Sequence, residues 1–133
     1  MAYSIKLFIS TLVVFLTIDL AWLGIAAKAF YANQLGHLLS PSTNWIPAVV
    51  FYMLYILGIL LFVVLPGIQQ GSLRSTLLRG AFYGLITYAT YDLTNLATLK
   101  DWPILLTLVD IAWGTVLCTL VSIFSYYIGK RLK

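Results

Sequence analysis

Charged residues divide this chain into long apolar stretches. None occurs between Lys6 and Asp19 or between Lys28 and Arg74. Asp92 is the only one between Arg79 and Lys100, and Asp110 the only one between Asp101 and Lys130. A helix crossing a hydrocarbon core of about 30 Å needs roughly 20 residues at 1.5 Å each. Four segments qualify: about Ile5 to Ala27, Ile46 to Leu65, Leu77 to Leu99, and Pro103 to Ile128. Helix is the expected spanning element because lipid cannot satisfy a bare backbone, and the alternating polar residues of a barrel strand are missing. The predicted fold is all-α, a single membrane domain over residues 1–133 built as a four-transmembrane-helix bundle.

Local signals mark the boundaries. Asn44 or Trp45 ahead of Pro47 suits a first helical turn, where the absent proline N–H costs nothing. Pro66-Gly67 is expected to end the second span. Asp101-Trp102-Pro103 forms a tight link that makes spans three and four antiparallel neighbours, with Asp101 expected to cap the fourth. The connector from Phe30 to Ser42 is expected to hold a short interfacial helix carrying Phe30, Tyr31, Leu35, Leu38 and Leu39. Lys6, Arg74, Arg79, Lys130, Arg131 and Lys133 fall on one side of the bundle, with only Lys28 and Lys100 on the other. Positive charge is retained inside, so both termini are expected in the cytoplasm and the chain in a bacterial-type inner membrane as a multi-pass protein. Met1 to Ala29 also has the outline of a signal peptide with Ala27-Lys28-Ala29 at its end. Asp19, Trp22 and Leu23 are unusual in a cleavage region, which favours a retained span.

Composition agrees with membrane residence and removes several functions. The chain is 62% apolar and only 9% charged, against about half and a quarter in soluble domains. A net charge of +4, with no basic run before the last four residues, is too sparse for a nucleic-acid footprint. One cysteine, Cys118, excludes an internal disulfide and a cysteine metal cluster. It is read as packing, since no histidine accompanies it as for a nucleophile. His37 lies in the connector and is expected to face solvent, so no metal site is predicted. No phosphate loop or Ser-His-Asp order occurs, and no cofactor is implied.

The candidate chemistry is acidic. A carboxylate in hydrocarbon is costly enough to count as a functional hypothesis by default, and three spans each carry one: Asp19, Asp92 and Asp110. The helical rise puts each roughly 10–12 Å below the outer edge. Tyr88, Asp92 and Asn95 share one face of the third span. Asp19-Leu20-Ala21-Trp22 is matched by Asp110-Ile111-Ala112-Trp113, and opposed helix directions predict Trp22 outward of the acids and Trp113 inward of them. No basic residue shares the layer, so the carboxyls are expected to titrate as one coupled cluster. The blander reading, interhelical hydrogen bonding, is worth only about 0.6 kcal/mol per contact, a poor return for three acids. Gly80 and Gly84 are read as a GxxxG step admitting a neighbouring helix. Tyr52, Tyr55, Tyr126 and Tyr127 are expected at lipid or interface, with Trp45 and Trp102 as interfacial anchors.

Asp19 with Trp22, the run Tyr91-Asp92-Leu93-Thr94-Asn95-Leu96-Ala97-Thr98, Asp101-Trp102-Pro103 and Asp110-Ile111-Ala112-Trp113-Gly114 together resemble a bacterial family of small four-helix membrane proteins known only as a domain of unknown function. The resemblance spans nearly the whole chain. It implies a membrane location and no established activity.

Two classes of function follow from the acids. The first is binding or transport of a proton or small cation from outside, with Asp19, Asp92, Asp110, Asn95, Tyr88, Trp22 and Trp113 lining the pocket; transport by so few helices would call for a homodimer. The second is a membrane enzyme acting on a lipid or isoprenoid by acid/base chemistry. A lateral opening at the acid layer would favour the lipid, and an opening to the aqueous exterior alone would favour the soluble cation. A third reading is an accessory subunit that docks a partner's helix on the polar layer.

Overall fold

The computed structural model describes all residues from Met1 to Lys133. It is all-α and has five helices: α1 (Ala2–Ala26), α2 (Lys28–Leu35), α3 (Trp45–Gln70), α4 (Leu73–Thr98) and α5 (Ile104–Leu132). Three of them, α1, α3 and α5, are long and apolar enough to cross a membrane. Helix α4 has comparable length at 26 residues but carries Arg74, Arg79, Asp92, Asn95 and a series of threonines. The short α2 occupies the first half of the connector between α1 and α3.

Every long helix begins earlier or runs further than its apolar stretch predicts. Asn44 caps α3 by accepting the Ile46 N–H at 3.3 Å, and Ser72 caps α4 by accepting that of Ser75 at 3.1 Å. The largest difference is at Pro66, which does not end α3. Residues Leu60–Val64 relax into a π turn, with the Leu65 N–H bonding back to the Leu60 carbonyl. Pro66 supplies no N–H to the carbonyl four residues before it; that Phe62 oxygen instead accepts from the Arg79 guanidinium at 3.5 Å. The helix stops five residues later at Gly71, whose φ of 65° is the left-handed turn that glycine adopts without strain. Asp101 also departs from its expected role. It does not cap α5 but turns the chain with a φ of 61°, a conformation that aspartate tolerates better than most residues.

The buried faces contain small and polar residues because lipid is as apolar as any core and does not drive helices together. On α1 the buried stripe is Leu7, Thr11, Phe15 and Asp19, at intervals of four. On α4 it is Thr76, Gly80, Gly84 and Asp92, also in steps of four or eight. Apolar residues such as Ile9, Val13, Phe82 and Leu108 point outward instead. Gly84 lies against the Gly114 carbonyl and Cys118, and Gly80 against Ser122, so α4 and α5 pack with their backbones close. The GxxxG expectation is met there. Phe15, Ile56, Ile59, Leu117, Cys118 and Val121 close the centre. Tyr55, Tyr126 and Trp102, expected at lipid or interface, are buried: the Tyr55 hydroxyl finds Thr87 and Cys118, and the Trp102 indole finds Thr107. For Tyr55 and Trp102 burial is tolerated because the polar tip of the ring has a partner inside. Tyr3 donates to the Gly129 carbonyl at 3.2 Å, which ties the two chain ends together at one end of the bundle.

A side chain at Gly84 has no room. Gly84→Ile should lower stability by about 1–3 kcal/mol in detergent unfolding, whereas Gly24→Ala, with nothing within 4 Å of the new methyl, should stay within ~0.5 kcal/mol. Equal melting of the two variants would contradict the close α4–α5 contact.

Candidate functional site

The end of the bundle opposite the chain termini contains a chamber of about 320 Å³ into which Asp19, Asp92 and Asp110 all project. Three helices deliver them. Asp19 ends the buried stripe of α1 and Asp92 that of α4, while Asp110 sits one turn above Gly114 on α5. The α4–α5 backbone contact at Gly84 and Gly114 therefore sets the spacing of the Asp92 and Asp110 carboxyls.

The three acids differ in their partners. Asp19 accepts long hydrogen bonds of 3.4 Å from the Trp113 indole and the Tyr52 hydroxyl. Asp110 accepts a short one of 2.5 Å from the Tyr31 hydroxyl, which itself accepts from the Trp22 indole at 3.3 Å. Asp92 is fully buried, and no hydroxyl, amide or indole donor reaches either of its oxygens. Its polar neighbour is the Asp110 carboxyl. No Lys or Arg lines the chamber, and Lys28 and Lys100 are exposed.

Aromatic rings form most of the wall. Tyr31 and Leu35 of α2, Phe51 and Tyr52 of α3, Tyr88 and Tyr91 of α4, and Trp102 and Trp113 near and on α5 surround the acids. Trp22 and Trp113 do not bracket the acids above and below as their opposed positions predict. They stack on each other, with centroids 4.3 Å apart and planes 10° from parallel. The reason is local: α1 widens into a π turn over Trp22–Ala26, closed by the Ala27 N–H on the Trp22 carbonyl at 2.8 Å. Such turns re-aim side chains and recur at functional sites. Tyr88 lies against Gly114 and lines the chamber. Asn95 is not among the lining residues; it is half-buried one turn beyond, where its carbonyl accepts the Leu99 N–H at the end of α4.

Several lining residues lay outside the sequence reading, Tyr52, Tyr91 and Trp102 among them, and Tyr31 is the one that bonds an acid from the connector. It lies in the connector, where only its place on a short interfacial helix was legible, and its partner Asp110 is 79 residues away. Burial, and then the Asp110 carboxylate to which it donates, push the Tyr31 phenol above its ordinary range. The phenol thus stays a donor, not a base, at any physiological pH. Tyr52 was expected at the lipid boundary and instead reaches Asp19. Cys118 is buried below the chamber against Tyr55, and His37 is exposed.

Chemically, the chamber brings oxygen acceptors and π faces together, a combination suited to positive charge. No three His, Cys, Asp or Glu side chains gather closely enough to hold a metal ion.

The sequence model of the family described as "Predicted membrane protein (DUF2177)" matches residues 4–127, and the chain belongs to that family. No curated protein and no solved structure matches it.

The Tyr31–Asp110 bond should hold α2 over the chamber. Tyr31→Phe removes two hydrogen bonds, to Asp110 and from Trp22, together worth about 2 kcal/mol, so hydrogen exchange of the Lys28–Leu35 amides should quicken roughly thirtyfold. Unchanged exchange would show that α2 is held by its apolar contacts alone.

Proposed function

We propose that this member of the predicted-membrane-protein family spans the plasma membrane four times, with both termini cytoplasmic, and binds a small organic cation in the acid chamber. The lysines and arginines near Lys6, Arg74, Arg79 and Lys130 support that orientation. It sets the chamber in the outer half of the bilayer and makes α4 a span as well, the third along the chain, its charges lying at its inner end and in the chamber.

The observation that carries the cation reading is Asp92. No helix donor reaches the Asp92 carboxyl, whose one polar neighbour is the Asp110 carboxyl, so it does little to tie the bundle together while being held out of water. A purely structural role is therefore the weakest account of it. A cation entering the chamber would meet Asp92 and Asp110 together, with Asp19 opposite and the faces of aromatic rings around it. A cation–π contact in such a dry site contributes about 2 kcal/mol beyond the charge attraction. An organic ammonium suits the spread of the acids better than a metal ion, which requires its ligands converged at one point.

Binding fits the chamber better than conduction. Inward of the acids the bundle is closed by Phe15, Ile56, Ile59, Leu117 and Val121, all essentially inaccessible. The site is complete within one chain, so the homodimer expected of a transporter is not needed. The enzyme reading would make the same Asp19, Asp92 and Asp110 its acid and base; cation binding asks less of the site, needing only the carboxyls and the ring faces around them. Docking of a partner's helix would have to displace α2 from Asp110.

Asp92→Asn separates the functional account from the structural one. The variant should bind ethylammonium at least roughly tenfold more weakly than the native chain, read by calorimetry in nanodiscs. It should melt no lower than the native protein, because the amide has the carboxyl's size and can still donate to the neighbouring Asp110 carboxyl. Intact ethylammonium binding would refute the cation reading, and a melting temperature lowered as for a lost structural contact would restore the bland one.

A further inference from the structure

We infer that the cation is the head of a single-chain amphiphile that enters sideways from the bilayer, with its hydrocarbon tail lying in a cleft between α3 and α4. This rests on the cation reading above and names the class of ligand. The cleft has a volume of about 320 Å³ and is lined by Phe51, Tyr55, Thr87, Tyr88, Tyr91 and Asp110. Four of these residues, Phe51, Tyr88, Tyr91 and Asp110, also line the acid chamber, so the two spaces adjoin.

The cleft has a definite floor and open lips. Tyr55 and Thr87 join α3 to α4 through their hydroxyls at 2.7 Å, and Tyr83 reaches the Tyr55 carbonyl at 3.5 Å. One turn outward of that bridge, Phe51 and Tyr91 stand 47% and 56% exposed on facing helices. With α4 spanning beside α3 as proposed above, the lips open onto hydrocarbon and not onto water. The polar atoms of the floor are already engaged: the Thr87 hydroxyl also bonds the Tyr83 carbonyl at 2.8 Å. What remains for an occupant is ring faces, with one carboxyl, Asp110, at the inner wall.

Polarity thus changes along one path, from lipid through an apolar slot to three carboxyls, the last of them Asp92 with both oxygens unpartnered. A water-soluble cation has no use for the slot, and a neutral lipid leaves the acids unmatched. An amine carrying one hydrocarbon chain satisfies both ends, and the combined space suits a small ligand more than a bulky two-chain lipid.

Indole fluorescence tests this directly, because Trp102 and Trp113 line the chamber. The full chain is placed in phosphatidylcholine nanodiscs with hexadecylamine brominated beside its head, or with hexadecanol brominated at the same place. The amine should quench at about tenfold lower mole fraction than the alcohol. Excess ethylammonium should relieve the quenching, and Asp92→Asn should erase the difference between the two chains. Equal quenching by amine and alcohol in the native protein would overturn the inference. Calorimetry with ethylammonium in the same discs tells the two failures apart: if it binds while the amine quenches no better than the alcohol, the chamber takes its cation from water, and if it does not bind, the cation reading itself falls.

Discussion

Asp92 and Asp110 face each other because α4 and α5 touch backbone to backbone at Gly84 and Gly114. In a bilayer the hydrophobic effect does not hold helices together, so association relies on dispersion between surfaces that approach closely. Glycines permit that approach, and the same stripe that carries Gly80 and Gly84 reaches Asp92 two turns later. Tight packing at the middle of the bundle thereby fixes the geometry of the acids beyond it. The carboxyls are not free to splay into lipid, and no basic side chain lies within the chamber to neutralise them.

Two π turns shape the bundle around this contact. The one at Leu60–Val64 lets α3 continue past Pro66, with Arg79 taking over the carbonyl that proline leaves without a donor. The one at Trp22–Ala26 rotates the end of α1 so that Trp22 stacks on Trp113 and hands its N–H to Tyr31. That tyrosine brings α2 down onto Asp110. Two of the acids thus have donors that orient them, and the third, the most deeply buried, has none. A fold that partners Asp19 and Asp110 while leaving Asp92 bare concentrates its unmet polarity at one point facing a cavity.

Much of this was legible along the chain, and the rest fails for identifiable reasons. The spacing of Asp19, Asp92 and Asp110 against the span ends led to one layer, and one chamber receives them. The GxxxG step led to a close helix contact. Which face of each helix points inward was not legible from hydrophobicity, since Ile9 and Phe15 are equally apolar while only the second is buried. The signal that does carry it is the four-residue spacing of small and polar residues, such as Thr76, Gly80, Gly84 and Asp92. Tyr55 goes inside against expectation because its buried partners, Thr87 and Cys118, are distant in sequence, whereas Trp102 does so on Thr107, five residues along. Asn95 shares a helical face with Asp92, but one further turn carries it past the chamber.

The central claim is that a buried, donorless carboxyl on α4 is the contact point for positive charge. Infrared difference spectroscopy of the protein labelled with ¹³C-carboxyl aspartate reads it most directly, comparing spectra before and after ethylammonium is added. The account requires a change in the aspartate carboxyl bands that disappears in Asp92→Asn. Spectra that do not respond to the cation, or that respond identically in the variant, would contradict it.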